Sequence, residues 1–348
     1  MKIKKLKVKN IDLSTIEKIL VIKLRAIGDV LLSTPVIHNL RDAFPNAQLD
    51  FLVEPLSVNI LLGNPHISNI ILFSRGERSY FSFLRSLKEK KYDLVIDLFC
   101  NPRSAQMTYF TRAKYRVGYA FRLRKYAYNI LLQSRSDKVH NIDFNIDALR
   151  ALDINVKHKL PELYLSKSDN DFADDFYRRT FKDNDIVFGI NAGGGWGSKL
   201  WGLPKYAELA DKIIESFNYK VLVFWGPGQE QMCETLKSLM RHEPIITPPT
   251  TLKYVAALQK KCKFIISNDS GPMHIAACMG IPTLGIFGPT RPFTARPIGN
   301  NCTVIVKEGL DCLGCNLTSC KSGNKCMTDL SVDEVYKKVL EWQNLHEK

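Results

Sequence analysis

Three short stretches of the sequence combine residue types that could bind an anion or move a proton. Gly28 and Asp29 follow a short apolar run, and Asp29 could act as a general base in a ligand site or cap a helix. Residues 193–199 place four glycines before Lys199; such a loop can offer backbone N–H groups to a phosphate, although a flexible surface loop has the same composition. Neither stretch has the spacing of the dinucleotide fingerprint or of the P-loop.

The third stretch, residues 267–274, reads Ser-Asn-Asp-Ser-Gly-Pro-Met-His and lies where a helix is predicted to begin. The N–H groups of Ser270 and Gly271 would point out of the helix N-terminus, where the helix dipole favours an anion. Asp269 could instead cap the helix, and His274 could be a packed core histidine. The eight residues together indicate an anion site more specifically than any one of them.

Each of these stretches follows a predicted strand. The predicted strands are 18–23, 48–53, 67–73 and 92–98 in the first half, and 185–190, 220–225, 263–267 and 282–287 in the second. Helical patterns, for example at 80–91 and 204–217, separate them. Near-continuous apolar strands between helices are typical of a parallel sheet that is covered on both faces.

The pattern restarts after a polar, acidic stretch near residues 153–185. The sequence therefore predicts two doubly wound α/β domains, residues 1–165 and 166–348. Open α/β sheets bind ligands beyond the carboxyl ends of their strands, and the three stretches fall at that edge.

Composition excludes several classes of protein. The 348 residues are 45% apolar and 24% charged, which is typical of a globular chain and not of a disordered, collagen-like or disulfide-stapled one. No run reaches the 18 apolar residues of a membrane span, and no apolar segment of a secretory signal follows the basic N-terminus. We therefore expect neither a membrane span nor a secretory signal.

The net charge of +14 lies almost entirely in the first half. Residues 1–165 carry 27 Lys+Arg against 15 Asp+Glu, whereas residues 166–348 carry 22 against 20. Residues 98–136 contain eight basic residues interleaved with aromatic ones and no Asp or Glu. Such a stretch could line a nucleic-acid groove, meet a phosphorylated glycolipid at a membrane surface, or be a solvated face; no recognised nucleic-acid-binding motif accompanies it.

Four of the nine cysteines form a cluster: Cys312, Cys315, Cys320 and Cys326. The cluster could bind a structural zinc ion or an iron–sulfur cluster, although its spacing is irregular. Four reduced thiols in a cytosolic protein would look the same. We favour reduced thiols slightly over a structural metal.

The order of these motifs resembles the lipopolysaccharide heptosyltransferases of glycosyltransferase family 9, over about residues 18–340. The resemblance rests on residues 19–23 and 25–35, on Lys199-Leu200-Trp201, on residues 225–230, 268–274 and 285–290, and on the cysteine cluster that ends in Cys326-Met327. It implies a GT-B fold, in which two Rossmann-like domains face each other across a cleft. The N-terminal domain would bind the acceptor and the C-terminal one the nucleotide sugar, with the last helix able to pack back on the N-terminal domain.

The resemblance also implies an activity: inverting, metal-independent transfer of heptose from ADP-heptose to the inner core of lipopolysaccharide, with no cofactor. Asp29 would be the general base. The donor site would be formed by Lys199 at the ADP phosphates, Glu230 at the ribose hydroxyls, Asp269 near the sugar, Ser270 and Gly271 at the phosphate through their N–H groups, and His274 beside it.

The same resemblance ranks the possible partners of the basic stretch. The first candidate is a phosphorylated lipopolysaccharide core, with Arg103, Arg122 and Arg124 as candidate contacts. The resemblance also implies that the enzyme is cytoplasmic and peripheral at the inner face of the cytoplasmic membrane. A family-9 transferase that uses another nucleotide sugar or acceptor is the alternative. A nucleic-acid-binding protein is a distant third, and we expect no nucleic-acid partner.

Overall fold

The computed structural model describes residues 12–74, 76, 79–135 and 138–344. The chain divides into two compact units, Met1–Tyr164 and Leu165–Lys348. Each unit is a parallel sheet with helices packed on it, as the apolar strands predicted. None of the described helices combines the length and the apolar character that crossing a bilayer requires.

The first unit contains a six-stranded parallel sheet with strand order β3-β2-β1-β4-β5-β6. Its strands are β1 (Lys18–Ile22), β2 (Gln48–Val53), β3 (Asn69–Leu72), β4 (Leu94–Asp97), β5 (Tyr115–Tyr119) and β6 (Ile130–Leu132). Its helices are α1 (Ile27–Leu31), α2 (Thr34–Ala43), α3 (Tyr80–Glu89), α4 (Pro102–Phe110) and α5 (Asn141–Arg150).

The second unit repeats this winding, with strand order β12-β11-β10-β7-β8-β9 and all pairings parallel. Its strands are β7 (Val187–Asn191), β8 (Lys220–Val223), β9 (Ile245–Ile246), β10 (Ile265–Asn268), β11 (Thr283–Phe287) and β12 (Thr303–Val306). Its helices are α6 (Lys167–Thr180), α7 (Leu203–Phe217), α8 (Glu230–Leu239), α9 (Leu252–Gln259), α10 (Gly271–Cys278), α11 (Pro292–Ala295), α12 (Lys325–Thr328) and α13 (Val332–Asn344).

The central strands carry the core of each unit. Residues 19–22 of β1 are fully buried, because helices cover both faces of a parallel sheet. Strand order reverses between β1 and β4 in the first unit, and between β7 and β10 in the second. A crevice forms at such a switch point because the flanking connections leave in opposite directions, so ligand-binding turns are expected after these four strands.

Several elements were not predicted from the sequence. The acidic stretch contains α6, which packs on α9 through Phe172, whose ring stacks on Tyr254 with centroids 4.0 Å apart. Strands β5, β6, β9 and β12 were not predicted, because each is too short to appear as a long apolar run in the sequence.

The last helix, α13, packs on α7 and β12, and its Trp342 donates to the Asn301 carbonyl at 2.9 Å.

Candidate functional site

The switch point of the second unit holds a buried ion pair. Lys199, in the loop after β7, places its Nζ 2.7 Å from a carboxylate oxygen of Asp269, which follows β10. The Lys199 side chain is 16% exposed and that of Asp269 5%. The ammonium also lies 4.4 Å from the centroid of the Trp196 ring. Thr290, after β11, donates its hydroxyl to the same Asp269 oxygen at 2.5 Å.

Asn268, the last residue of β10, fixes the backbone around this pair. Its fully buried amide donates to the Ala192 carbonyl at 2.6 Å and accepts from the Tyr206 hydroxyl at 3.1 Å and the Trp201 N–H at 3.3 Å. The turn after β7 is therefore tied to β10 and to α7. Sequence reasoning assigned no role to Asn268 or Thr290, although both stand in the motifs that carried the resemblance.

The glycine-rich loop needs only some of its glycines for steric reasons. A Cβ on Gly193 would lie 2.6 Å from the side-chain amide of Gln229, whereas one on Gly195 or Gly197 would meet open space. The Gln229 amide oxygen accepts from the Gly226 N–H at 3.0 Å, so the turns after β7 and β8 meet at Gly193. Glu230 follows at the start of α8 and is exposed.

Helix α10 begins directly after β10, at the sheet edge where an anion site is expected. Ser270 is the N-cap residue, its side chain makes no capping hydrogen bond, and Gly271 is the first helical residue. The helix dipole at this terminus carries partial positive charge. His274 lies in the first turn and is 7% exposed. Asp269 is not the capping residue; its carboxylate contacts Lys199 and Thr290 instead.

In the first unit, Asp29 lies in the first turn of α1, just after β1. It is partly buried, and its carboxylate accepts from the Ala26 N–H at 3.4 Å. Ala26, and not Asp29, is the N-cap residue. The neighbouring turn after β4 is tied to β1 because Lys23 donates its Nζ to the Leu98 carbonyl at 3.1 Å. The carboxylate therefore stands at the switch point of this sheet.

A second carboxylate at this edge, Asp97, was not singled out from the sequence. It is 1% exposed and ends β4, where it accepts from the Cys100 N–H at 2.8 Å and the Tyr128 hydroxyl at 2.7 Å. Burial raises the pKa of Asp97, and these hydrogen bonds act in the opposite direction. The sequence signal that could have identified Asp97 is its position at the end of an apolar strand. Its contacts indicate that it shapes the turn after β4.

Two of the three predicted acceptor arginines lie beside that turn. Arg124 donates to the Cys100 carbonyl at 2.6 Å and lies 5.3 Å from the centroid of the Phe121 ring. Arg103, near the start of α4, lies 5.5 Å from the centroid of the Phe73 ring. The side chain of Arg122 lies outside the described part of the structure. Both described guanidinium groups are thus positioned by aromatic rings.

The cysteine-rich segment packs against the turns of the second unit. The Ser198 hydroxyl donates to the Leu317 carbonyl at 2.7 Å, and a Cβ on Gly288 would lie 2.8 Å from the Cys326 sulfur. None of the nine cysteines, all of them in the described part of the chain, forms a disulfide. Burial raises the pKa of Cys326, and Cys312, Cys315 and Cys320 raise it further.

Comparison with known proteins identifies the family of this chain. The family model described as glycosyltransferase family 9 (heptosyltransferase) matches residues 80–325. Lipooligosaccharide heptosyltransferase 2 of Campylobacter jejuni is 26% identical to the chain over 333 residues, covering 90% of this chain and 95% of the relative.

Two solved structures share the fold. A family 9 glycosyltransferase from Veillonella parvula superposes with a TM-score of 0.83 at 24% identity, covering 94% of this chain and 97% of that one. The ADP-heptose lipopolysaccharide heptosyltransferase II of Escherichia coli superposes with a TM-score of 0.77 at 22% identity, covering 95% and 100%. These similarities confirm the predicted GT-B fold. Because the family model covers most of the sequence, the chain belongs to glycosyltransferase family 9, the heptosyltransferase family.

Proposed function

We propose that this chain transfers heptose from ADP-heptose to the inner core of lipopolysaccharide, inverting the anomeric carbon and using no catalytic metal. The observation that carries the proposal is the Lys199–Asp269 pair beside the start of α10, at the switch point of a family 9 chain. Relatives named as heptosyltransferases, one of them for ADP-heptose, support the choice of sugar and nucleotide.

The donor would bind in the second unit. Lys199 would reach a phosphate oxygen while it keeps its contact with Asp269, and the N–H groups of Ser270 and Gly271 would hold the same diphosphate. The exposed carboxylate of Glu230 is available to the ribose hydroxyls. His274 would lie beside the diphosphate, and Asp269 would face the sugar.

The reaction needs a base for the acceptor and positive charge for the leaving group. Asp29 would take the proton of the acceptor hydroxyl as its oxygen attacks the anomeric carbon. The bond from that carbon to the ADP oxygen breaks, and ADP leaves with the electron pair. Lys199 and the N–H groups of α10 would stabilise the negative charge that develops on the diphosphate.

The direct test is transfer to defined core-truncated acceptors. With ADP-heptose, we expect a product heavier by one heptose unit in mass spectrometry, at an undiminished rate in the presence of EDTA. Loss of transfer in EDTA that added Mg²⁺ restores would contradict metal independence. A chain that transfers no heptose to any core acceptor would contradict the proposal itself.

The acceptor is proposed to be phosphorylated and held near the basic stretch. Arg103 and Arg124 lie at the turn after β4, at the same sheet edge as Asp29. We further propose that the enzyme is cytoplasmic and acts peripherally at the inner face of the cytoplasmic membrane. In the same assay, acceptor in anionic vesicles should be used faster than acceptor in neutral micelles, and the difference should shrink at high salt.

Nucleotide choice distinguishes the ADP-heptose proposal from a family 9 enzyme with another donor. We expect ADP to raise the melting temperature of the chain and UDP or GDP at equal concentration to raise it much less, because a ligand that binds only the folded state stabilises it. Thermal unfolding followed by fluorescence measures this. A larger rise with UDP or GDP than with ADP would overturn the choice of donor.

A further inference from the structure

Three histidines from separate segments of the first unit form a stack outside the catalytic turns. His38 lies on α2, His66 in the loop before β3, and His158 in the segment after α5. The His38 ring stacks on His158 with centroids 3.4 Å apart and on His66 with centroids 4.0 Å apart. Two carboxylates, those of Asp42 and Glu162, flank the stack. Imidazole and carboxylate together are ligands typical of transition metals.

The hydrogen bonds of His38 determine which of its nitrogens is available. Its Nδ1 lies 2.6 Å from Glu162, and the Tyr164 hydroxyl donates to the other oxygen of that carboxylate at 2.9 Å. A carboxylate accepts, so Nδ1 carries the proton and Nε2 presents its lone pair. A histidine that ligates a metal commonly donates its other N–H to a carboxylate in this way.

The free nitrogen of His38 points to a second carboxylate. Its Nε2 lies 4.0 Å from one oxygen of Asp42, and the Nε2 of His158 donates to the other at 3.2 Å. A metal ion at this position would displace the Nε2 proton of His158 into solvent. These three groups can offer ligand atoms that all lie within 4.8 Å of one another. Two imidazole nitrogens and a carboxylate therefore converge at an exposed position.

We propose that His38, Asp42 and His158 bind a first-row transition-metal dication such as Zn²⁺, which clamps the segment after α5 to α2. The donor set of two nitrogens and one oxygen suits Zn²⁺ and not Ca²⁺ or Mg²⁺. Because the two rings are parallel, at least one rotates about its Cβ–Cγ bond when both ligate the ion. His66 supports the far face of His38 and is not a ligand.

Side chains of α2 hold the backbone of His66, His158 and Glu162 by hydrogen bonds. The fully buried Asn39 accepts from the His158 N–H at 3.1 Å and donates to the His158 carbonyl at 2.7 Å. Thr34 accepts from the Glu162 N–H at 2.8 Å, and Arg41 donates to the His66 carbonyl at 3.1 Å. The site is thus assembled by the fold, as a metal site with fixed ligands requires.

The Lys157 side chain would compete with a metal ion for Asp42. Lys157 places its ammonium 3.4 Å from Asp42, and it is 61% exposed. A cation bound to Asp42 would compete with this ammonium, which can move into solvent because it is so exposed. Replacing Lys157 with alanine should therefore strengthen metal binding, whereas every substitution of a ligand should weaken it.

The test uses Co²⁺ as a spectroscopic probe on the full chain after dialysis against a chelator. We expect a bound Co²⁺ whose absorption shows nitrogen and oxygen ligands and which Zn²⁺ displaces. The signal should be lost in H38Q, H158Q and D42N, weakened about 10–100-fold in E162Q, and strengthened in K157A. H242Q, which alters an exposed histidine of the second unit, is the matched control and should bind normally.

Four outcomes would overturn the proposal. The first is Co²⁺ binding that persists unchanged in D42N or H158Q. The second is loss of binding in H66Q while H158Q still binds normally. The third is a spectrum with only the intense near-ultraviolet band of thiolate ligation, which would assign the metal to the cysteines. The melting temperature of each metal-free variant separates loss of a ligand from loss of the fold. K157A alters an exposed side chain, so it tests the site without disturbing the core. Metal binding in K157A that is no tighter than in the unchanged chain is a fourth contradicting outcome.

Discussion

Replacing Asp29 with asparagine is expected to lower kcat for heptose transfer by about 10²–10⁴-fold and to leave the affinity for ADP-heptose close to that of the unchanged chain. Asparagine keeps an oxygen that can accept from the Ala26 N–H, a contact of 3.4 Å, so the first turn of α1 is preserved. The amide cannot take the proton of the acceptor hydroxyl. The loss corresponds to about 3–5 kcal/mol of transition-state stabilisation. Product formation by mass spectrometry and donor binding by calorimetry measure the two quantities.

Glu89→Gln is the matched control for this variant. Glu89 is an exposed carboxylate of α3, also in the first unit, and its ion pair with Arg85 lies on the surface. An exposed pair contributes little to stability, so this change should leave kcat and stability nearly unaltered. Near-normal turnover in Asp29→Asn would rule out Asp29 as the general base, and a parallel loss of donor affinity would indicate a disturbed fold.

The local features of the fold could be predicted from the sequence because each depends on neighbouring residues. The apolar run 19–22 predicted a strand buried on both faces, and the turns that follow β1, β7 and β10 lie where the pattern placed them. Helix α6 was missed because its composition is strongly polar. Its apolar residues Phe172 and Phe176 are four residues apart, a spacing that places both on one helix face, and they pack into the core beside α9.

Features that join distant parts of the chain could not be predicted in the same way. Lys199 and Asp269 were each singled out as candidate site residues, but their contact depends on the adjacency of β7 and β10, which the sequence does not state. The stack of His38, His66 and His158 likewise unites three segments that share no local pattern. Asn268 looked like part of a turn, yet its buried amide connects β10 to two other elements.

Replacing Lys199 with alanine is expected to weaken ADP binding by about 10–100-fold, because a hydrogen bond to a charged group contributes about 1.5–3 kcal/mol. The same change leaves the buried Asp269 carboxylate without its cation, so stability should fall by as much as about 3–5 kcal/mol. The Thr290 hydroxyl, which still donates to that carboxylate, limits the loss. Calorimetry gives the affinity and thermal unfolding gives the stability.

Adenosine separates the phosphate role of Lys199 from its structural role, because it fills the base and ribose positions but has no phosphate. Lys199→Ala should weaken ADP binding and leave adenosine binding unchanged, whereas a distorted site would weaken both. Adding Asp269→Asn should recover much of the stability by removing the unpaired charge, and it should not recover ADP affinity. Lys237→Ala, which removes an exposed lysine of α8 in the same unit, is the matched control. ADP affinity that is equal in the control and in Lys199→Ala would exclude contact between Lys199 and the diphosphate.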